Sequence, residues 1–386
     1  MKRKIAVVLT NRSNYGRMKP VMQALKEHPM IELLLFCTGT MVLERFGRPV
    51  DLCKEDGFEV HAEIYTELEG DMPTSMAKSI GTTITEIATV FNIFRPEFLL
   101  IIGDRYEALG VVITASYMGV CVAHIQGGEV SGTLDESARH AITKMAHYHF
   151  PSTQRAYEYL IKMGESSGTV FNVGCPVGDI SLNLNKNIDL NPFKGRGIGI
   201  EINHLEPYIL AIFHPDTCDF GNEERYTEEI VNAFNELKMP VCWLWANIDT
   251  GGGHINAYLR RVHEYANPSW LQLVKNFTPE LYQVILARSA CAVGNSSSFV
   301  RDSSFYGTPV VLVGDRQKGR EKGSNCINVS YKKDLILDGV RKQLDHGHYV
   351  PSKLYGDGNA SSKIADILSS LPVYHQKRLS YVNEDS

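Results

Sequence analysis

The sequence predicts an α/β protein made of two doubly wound domains in series. Three observations carry that expectation. Short β-rich runs alternate with longer stretches of helical periodicity along most of the 386 residues. The short runs are apolar throughout, as strands of parallel sheets covered on both faces must be. The length also exceeds what a single core ordinarily serves, so two domains are expected.

In the first half the expected strands are, in order, KIAVVLT (4–10), IELLLFC (31–37), EFLLII (97–102), VCVAHI (120–125) and TVFNV (169–173). Between them YGRMKPVMQALKEH (15–28) and MAKSIGTTITEIATVFNIF (76–94) repeat apolar residues three and four apart, which predicts helices. The second half gives YILAIF (208–213), PVCWLW (240–245), WLQLV (270–274), ACAVG (290–294) and PVVLV (309–313), with a helix at NEERYTEEIVNAFNELK (222–238). Further helices are expected at 134–148 and, from its serine-rich start, at 298–307. The expected division is 1–181 for the first domain, 182–207 for an Asn-, Gly- and Pro-rich linker, 208–373 for the second domain and 374–386 for a frayed polar tail. The basic start MKRKIAVVL carries too short an apolar stretch for a leader and reads as a buried first strand.

Composition excludes several classes. With a net charge of −5 there is no overall footprint for nucleic acid, and no apolar run approaches the roughly 18–20 residues that cross a bilayer. The eight cysteines are scattered without a CxxC pair, which predicts reduced core thiols in a cytoplasmic protein. TGGGH (250–254) lacks the Lys-Ser/Thr of a phosphate loop, and no GxGxxG follows the first strand, which argues against an NAD site. His140, His147 and His149 fail any standard zinc spacing, so no metal is expected, and at least one of the last two reads as structural.

In open parallel sheets ligands bind beyond the carboxyl ends of the strands, so the residues that follow each strand are the candidates. They are Asp104 and Arg105, Glu129, His214, Asn247 with Asp249, and Ser296 and Ser297 in GNSSS. These polar groups recur at the same end of both sheets, and the simplest arrangement has two domains facing one cleft. Small hydroxyl residues at a helix start suit either a phosphate or an ordinary N-cap, and Arg12 reads either as a diphosphate contact or as a surface arginine. Arg316, Lys318, Arg320 and Lys322 read as a solvated loop more than as an anion clamp. Glu129 and Asp135 carry the strongest case, because carboxylates on a glycine-flanked loop are suited to moving protons at one substrate carbon. Asp135 and Arg139 stand four apart on one helix and share a face, so a simple ion pair is the alternative to a functional role there.

Together these residues resemble the hydrolysing UDP-N-acetylglucosamine 2-epimerases, both the bacterial sialic- and legionaminic-acid pathway enzymes and the epimerase half of the animal bifunctional epimerase/kinase. The stretches that carry the resemblance are NRSNYG, GDRYEAL, HIQGGEVSGTLDESARHAITKMAHYHF, VGCP, FHPDT, NIDTG, GNSSS, YGTPVV, GDRQKGRE and YGDGNA, in family order from about residue 5 to 365. The resemblance implies a GT-B-like fold with the active site in the cleft between two Rossmann-like domains. It implies elimination of the nucleoside diphosphate to a glycal, then hydration to a free 2-epimeric sugar. The sugar implied is N-acetylmannosamine from UDP-N-acetylglucosamine, or the 2,4-diacetamido-2,4,6-trideoxy relative from a UDP- or GDP-carrier. By the same resemblance Asp104, Glu129, Asp135 and His214 are catalytic. Arg12, Gly16, Arg105, Asn247, Ser296 and Ser297 bind the nucleotide or its phosphates, and Arg139 and His140 support them. Asp302 stands where relatives carry the Glu of Gly-Val-Arg-Glu that holds the ribose, and Phe299 replaces a small residue there. No cofactor is implied. The implied partners are the nucleotide sugar and further copies of the chain, as homodimer or homotetramer. The alternatives are a non-hydrolysing 2-epimerase, whose equivalent segment usually reads more like HVEAGLRT, a GT-B glycosyltransferase and a nucleotide-sugar sensor.

Overall fold

The computed structural model describes residues 2–70, 72–185 and 190–381. They fall into two compact units: Met1–Glu129, Leu134–Ile180 and Tyr355–Ser386 form the first, and Val130–Thr133 with Ser181–Leu354 form the second.

The first unit holds a six-stranded sheet in the order β3-β2-β1-β4-β5-β6. Its strands are β1 (Arg3–Leu9), β2 (Ile31–Cys37), β3 (Val60–Glu63), β4 (Phe98–Ile102), β5 (Cys121–Ile125) and β6 (Tyr148–Phe150). All pairings are parallel. Its helices include α1 (Arg12–Glu27), α2 (Pro49–Glu55), α3 (Pro73–Phe94), α4 (Tyr106–Tyr117), α5 (Asp135–Met145) and α6 (Gln154–Lys162). β1 shows why an unbroken apolar run is required. Ile5, Val7 and Leu9 join the core on one face with Met18, Val21 and Leu25 of α1. Ala6 and Val8 point to the other face, with Ile87 and Phe91 of α3 and Val111 and Ala115 of α4. Each buried Val, Leu, Ile, Met or Phe among them contributes on the order of 1.5–3 kcal/mol by leaving water.

The second unit repeats the plan with β7 (Ile198–Gly199), β8 (Ile209–Ile212), β9 (Val241–Leu244), β10 (Leu271–Val274), β11 (Cys291–Gly294), β12 (Val310–Val313) and β13 (Cys326–Val329). The order is β13-β12-β11-β8-β9-β10-β7. Counted from β8, the six parallel strands follow the same 3-2-1-4-5-6 order as the first unit. Each sheet therefore reverses direction beside its first strand, at β1/β4 and β8/β11, where doubly wound sheets open a crevice.

Several expectations are corrected. TVFNV forms no strand; only Val170 bridges to His149, because β6 is three residues long and Ser167–Thr169 winds as a 3-10 turn. The second sheet is not wholly parallel, since β7 pairs antiparallel with β10 from within the expected linker. The helix expected at 298–307 is four residues long, Ser298–Arg301, followed by a 3-10 turn at Ser303–Phe305. The chain returns to the first unit at Tyr355 rather than ending in the second, and residues 374–381 are bound to it through side-chain hydrogen bonds instead of fraying. Residues 186–189 of the expected linker and 382–386 of the expected tail lie outside the described residues. Seven cysteines are buried and Cys218 is exposed. Among the described residues no helix is long and apolar enough to cross a membrane.

Gly294 closes β11 with φ of 141°, and a Cβ there would stand 1.9 Å from the Ile212 carbonyl oxygen of the neighbouring strand. Gly294→Ala is expected to lower stability by about 2 kcal/mol or more. The measurement is a fall in the urea midpoint of unfolding at unchanged m-value.

Candidate active site

In the first unit three strand ends supply the candidate residues. After β1, the Asn11 side chain accepts the Asn14 N–H at 3.0 Å and so caps α1, whose first residue is Arg12. Gly16 follows one turn later, and Arg17 donates from Nη1 to Gln126 Oε1 at 2.7 Å. After β4 come Gly103, Asp104 and Arg105. After β5 come Gln126, Gly127, Gly128 and Glu129. Gln126 adopts φ of 68° without being glycine, a conformation that costs an L-residue roughly 1–2 kcal/mol. Its side chain is held at both ends, by Arg17 and by Cys175 Sγ at 3.2 Å, which keeps the turn in that shape. A Cβ on Gly128 would stand 2.3 Å from the Ala156 carbonyl oxygen, so the loop lies too close to α6 for any side chain there.

Arg139 ties these loops together. It is 1% exposed, pairs through Nη2 with the Asp104 carboxylate and donates from Nη1 to the main-chain oxygen of Glu129 at 2.8 Å. The guanidinium, one turn after Asp135 on the same helix, reaches across to the β4 loop. Asp135 is the first residue of α5, at the positive end of the helix dipole, which favours a carboxylate. Glu129 is 6% exposed. His124 lies beneath, with Nε2 donating to Gly103 O at 2.7 Å; burial pushes its pKa down to about 4, so the ring is neutral. His140 meets Glu136 at 3.4 Å.

Arg105 is clamped by Glu107, with Nε 3.0 Å from Oε2 and Nη2 2.9 Å from Oε1. Glu107 is fully buried, and burial pushes its carboxyl up to about 7 against the pull of Arg105. Tyr106 donates to Glu67 at 2.9 Å, and burial raises that carboxyl too. Sequence reasoning missed both glutamates. Glu107 could have been found as the acid two residues beyond Arg105 at the same strand end; Glu67 carries no such signal.

His147 and His149 are both structural. His147 Nδ1 accepts the Val122 N–H at 3.0 Å, and His149 Nε2 meets Glu165 at 2.9 Å. Lys144 and Lys377 join the same carboxylate at 2.8 and 2.6 Å.

In the second unit His214 follows β8 and Asn295 follows β11, and the two exchange hydrogen bonds. The His214 N–H donates to Asn295 Oδ1 at 2.7 Å, and Asn295 Nδ2 donates to His214 O at 2.8 Å. The Asn247 N–H donates to His214 Nδ1 at 3.2 Å, which leaves the proton of the neutral ring on Nε2. Asn247 Nδ2 donates to Asp249 at 2.6 Å, and Arg316 approaches the same carboxylate at 3.4 Å. Gln317 donates to Asn295 O at 2.8 Å. The loop read as solvated thus turns Arg316 and Arg320 inward, with the Arg316 side chain 11% and Arg320 7% exposed. Ser296 and Ser298 share a hydrogen bond of 2.9 Å, and Ser297 precedes the short helix. Because that helix spans four residues, a phosphate there would depend on hydroxyls and individual N–H groups more than on a dipole. Asp302 is 5% exposed and accepts from Gln283 at 2.8 Å, while Phe299 is wholly buried. Among the described residues no group of three or more side chains is arranged for a metal.

The family model described as UDP-N-acetylglucosamine 2-epimerase matches residues 23–369. The UDP-N,N'-diacetylbacillosamine 2-epimerase (hydrolyzing) of Legionella pneumophila is 33% identical over 376 residues, covering 97% of this chain and 98% of its own. The GDP/UDP-N,N'-diacetylbacillosamine 2-epimerase (hydrolyzing) of Campylobacter jejuni is 29% identical over 329 residues, covering 85% and 84%. The Methanocaldococcus jannaschii UDP-GlcNAc 2-epimerase, solved with UDP-GlcNAc and UDP, superposes with a TM-score of 0.77 at 15% identity, covering 95% and 99%. At that identity the superposition bears on the fold alone, which is GT-B-like with two Rossmann-like domains.

Glu165 gives a pH test of the buried cluster beside α5. Burial alone would raise its carboxyl, but His149, Lys144 and Lys377 outweigh that and hold it at about 2, from 4.5. A depressed carboxyl stabilises the fold above the unfolded value and loses that contribution as pH falls toward the folded one. Glu165→Gln is therefore expected to cost on the order of 1–2 kcal/mol at pH 7. The difference should narrow between pH 4.5 and 2, as read from urea unfolding at each pH.

Proposed function

The chain belongs to the UDP-N-acetylglucosamine 2-epimerase family and is a hydrolysing nucleotide-sugar 2-epimerase, and from that premise we propose that its substrate is UDP-N,N'-diacetylbacillosamine. The products are then UDP and free 2,4-diacetamido-2,4,6-trideoxymannose, a precursor suited to legionaminic-type sialic acid synthesis. The single observation that carries the choice of sugar is the 33% identity to the Legionella pneumophila enzyme across nearly the full length of both chains.

The reaction sets the demands on the residues. The hydrogen on C2 is not adjacent to a carbonyl, so enolisation cannot acidify it. Departure of the diphosphate develops positive charge at C1, which a nearby carboxylate stabilises. Loss of the C2 proton completes a glycal; water then adds at C1 while a proton returns to the opposite face of C2. We assign proton transfer and water activation to Glu129 and Asp135, and stabilisation of C1 to Asp104, which the Arg139 ion pair orients. His214 offers Nε2–H to the departing diphosphate or serves at C2. Arg12, Gly16, Arg105, Asn247, Ser296 and Ser297 hold the nucleotide diphosphate, and Asp302 the ribose. The protein acts in the cytoplasm as a homodimer or homotetramer in this reading, which the seven buried thiols support for the compartment.

The test is NMR of UDP- and GDP-linked candidate sugars incubated with the enzyme in D2O. The expected outcome is the free diacetamido sugar, deuterated at C2 and inverted there, with UDP released. Turnover of UDP-N-acetylglucosamine alone would replace the proposed substrate. Glu129→Gln or Asp135→Asn is expected to retain UDP affinity while turnover falls by about 10²-fold or more. Wild-type turnover in either variant would remove that residue from the chemistry.

A further inference from the structure

α5 is short, and what holds it in place decides where its functional groups stand. Eleven residues span about 16 Å, and an isolated helix of that length is marginal in water. Its first residue is Asp135 and its second turn supplies Arg139, the partner of Asp104 and of the Glu129 carbonyl. Ile142 and Thr143 bury its inner face. Its far end meets a segment more than 200 residues later in the sequence.

That segment is residues 372–381, laid across the first unit as a strap. Tyr148 donates to Pro372 O at 2.8 Å, and Tyr374 donates to His147 O at 3.0 Å with its ring edge-on to the imidazole at 4.8 Å. His375 donates to Gly119 O at 2.6 Å, and Ser380 to Gly164 O at 2.8 Å. In the middle, Lys377 Nζ donates to the carbonyl oxygens of Thr143 at 2.7 Å and Ala146 at 2.5 Å, and pairs with Glu165 at 2.6 Å. The last carbonyls of a helix have no partner within it and carry the negative end of its dipole. An ammonium bonded to two carbonyls at that end is a C-cap supplied from a distant part of the chain. Glu165 is itself fixed by Lys144 and His149, so the cap cannot drift.

We propose that Lys377 is a positioning residue for the epimerisation: by clamping the C-terminal end of α5 it fixes Asp135 and Arg139 at the other end, and through Arg139 the Asp104 and Glu129 loops. The inference rests on the reading that these carboxylates act on the sugar. A clamp of this kind acts on the geometry of the reacting groups and leaves nucleotide affinity alone. Displacements of about 1 Å suffice to cost a large factor in rate.

The experiment uses the full chain with Lys377→Met, which keeps the length and removes the ammonium, and Lys377→Arg, which restores a cation. Each is assayed at a temperature where circular dichroism shows it folded. Lys377→Met is expected to lower kcat at least tenfold with KM within about twofold, and Lys377→Arg to recover most of the loss. Hydrogen exchange of the α5 amides is expected to rise in Lys377→Met. Unchanged kcat in folded Lys377→Met overturns the proposal, and so does a parallel loss of kcat and UDP affinity. If Lys377→Met does not fold, His375→Ala, which loosens the strap at Gly119, takes its place; a kcat reduced at least threefold at constant KM supports the clamp and a wild-type kcat overturns it. Should the wild-type chain turn over none of the sugars, the functional reading fails on its own. Exchange of α5 then still decides the clamp, with unchanged protection in Lys377→Met overturning it.

Discussion

A guanidinium withdrawn from water must be surrounded by acceptors, and the way Arg139 meets that demand organises the strand ends of the first unit. Its two nitrogens take a carboxylate from the β4 loop and a carbonyl from the β5 loop. Two segments that the sheet alone would leave independent become one rigid edge. Removing one partner from a buried pair typically costs about 3–5 kcal/mol, because the charge left behind stays buried. Neutral His124 serves the same edge from below by binding Gly103 O, the residue before Asp104. Burial of charge here is the source of order at these strand ends.

The second unit joins its strand ends through amide and main-chain hydrogen bonds, with the Arg316–Asp249 pair beside them. The reciprocal bonds between His214 and Asn295 join the ends of β8 and β11 at the reversal point of the sheet. Asn247 then selects the tautomer of the ring. The bonds to the His214 main chain place the residue, and the bond to its Nδ1 orients the ring. Two sheets of one topology thus present different chemistry because the residues just past their strands differ.

The architecture was legible because buried strands leave unbroken apolar runs: KIAVVLT, EFLLII and PVVLV each appear where expected. Edge strands escaped. VHAE and CINV carry polar residues on half-exposed backbone, and two-residue β7 depends on pairing partners that lie far away in sequence. Of the candidate site, Asp104, Glu129 and His214 stood out because strand ends can be read from the pattern, and Asp135 because it shares a glycine-flanked stretch with Glu129. Arg139 was visible as a residue but not as a bridge, since helical spacing pointed to Asp135 and only the tertiary fold reveals Asp104. Lys377 acts through partners that local sequence does not announce, whereas Glu107 stands two residues from Arg105 and Asn295 directly follows β11. The polar tail looked like a frayed end because its bonds go to main-chain oxygens and to Glu165, more than 200 residues away, which no local pattern records.

The distribution of thiols has a practical side. Seven of the eight cysteines are enclosed by strands and helices, whereas Cys218 faces solvent four residues after His214. A maleimide dye or nitroxide added to the folded enzyme would therefore go to one place. That place sits on the turn leaving β8, so fluorescence or spin-label mobility could follow nucleotide arrival in the native chain, with no engineered cysteine to introduce and none to remove.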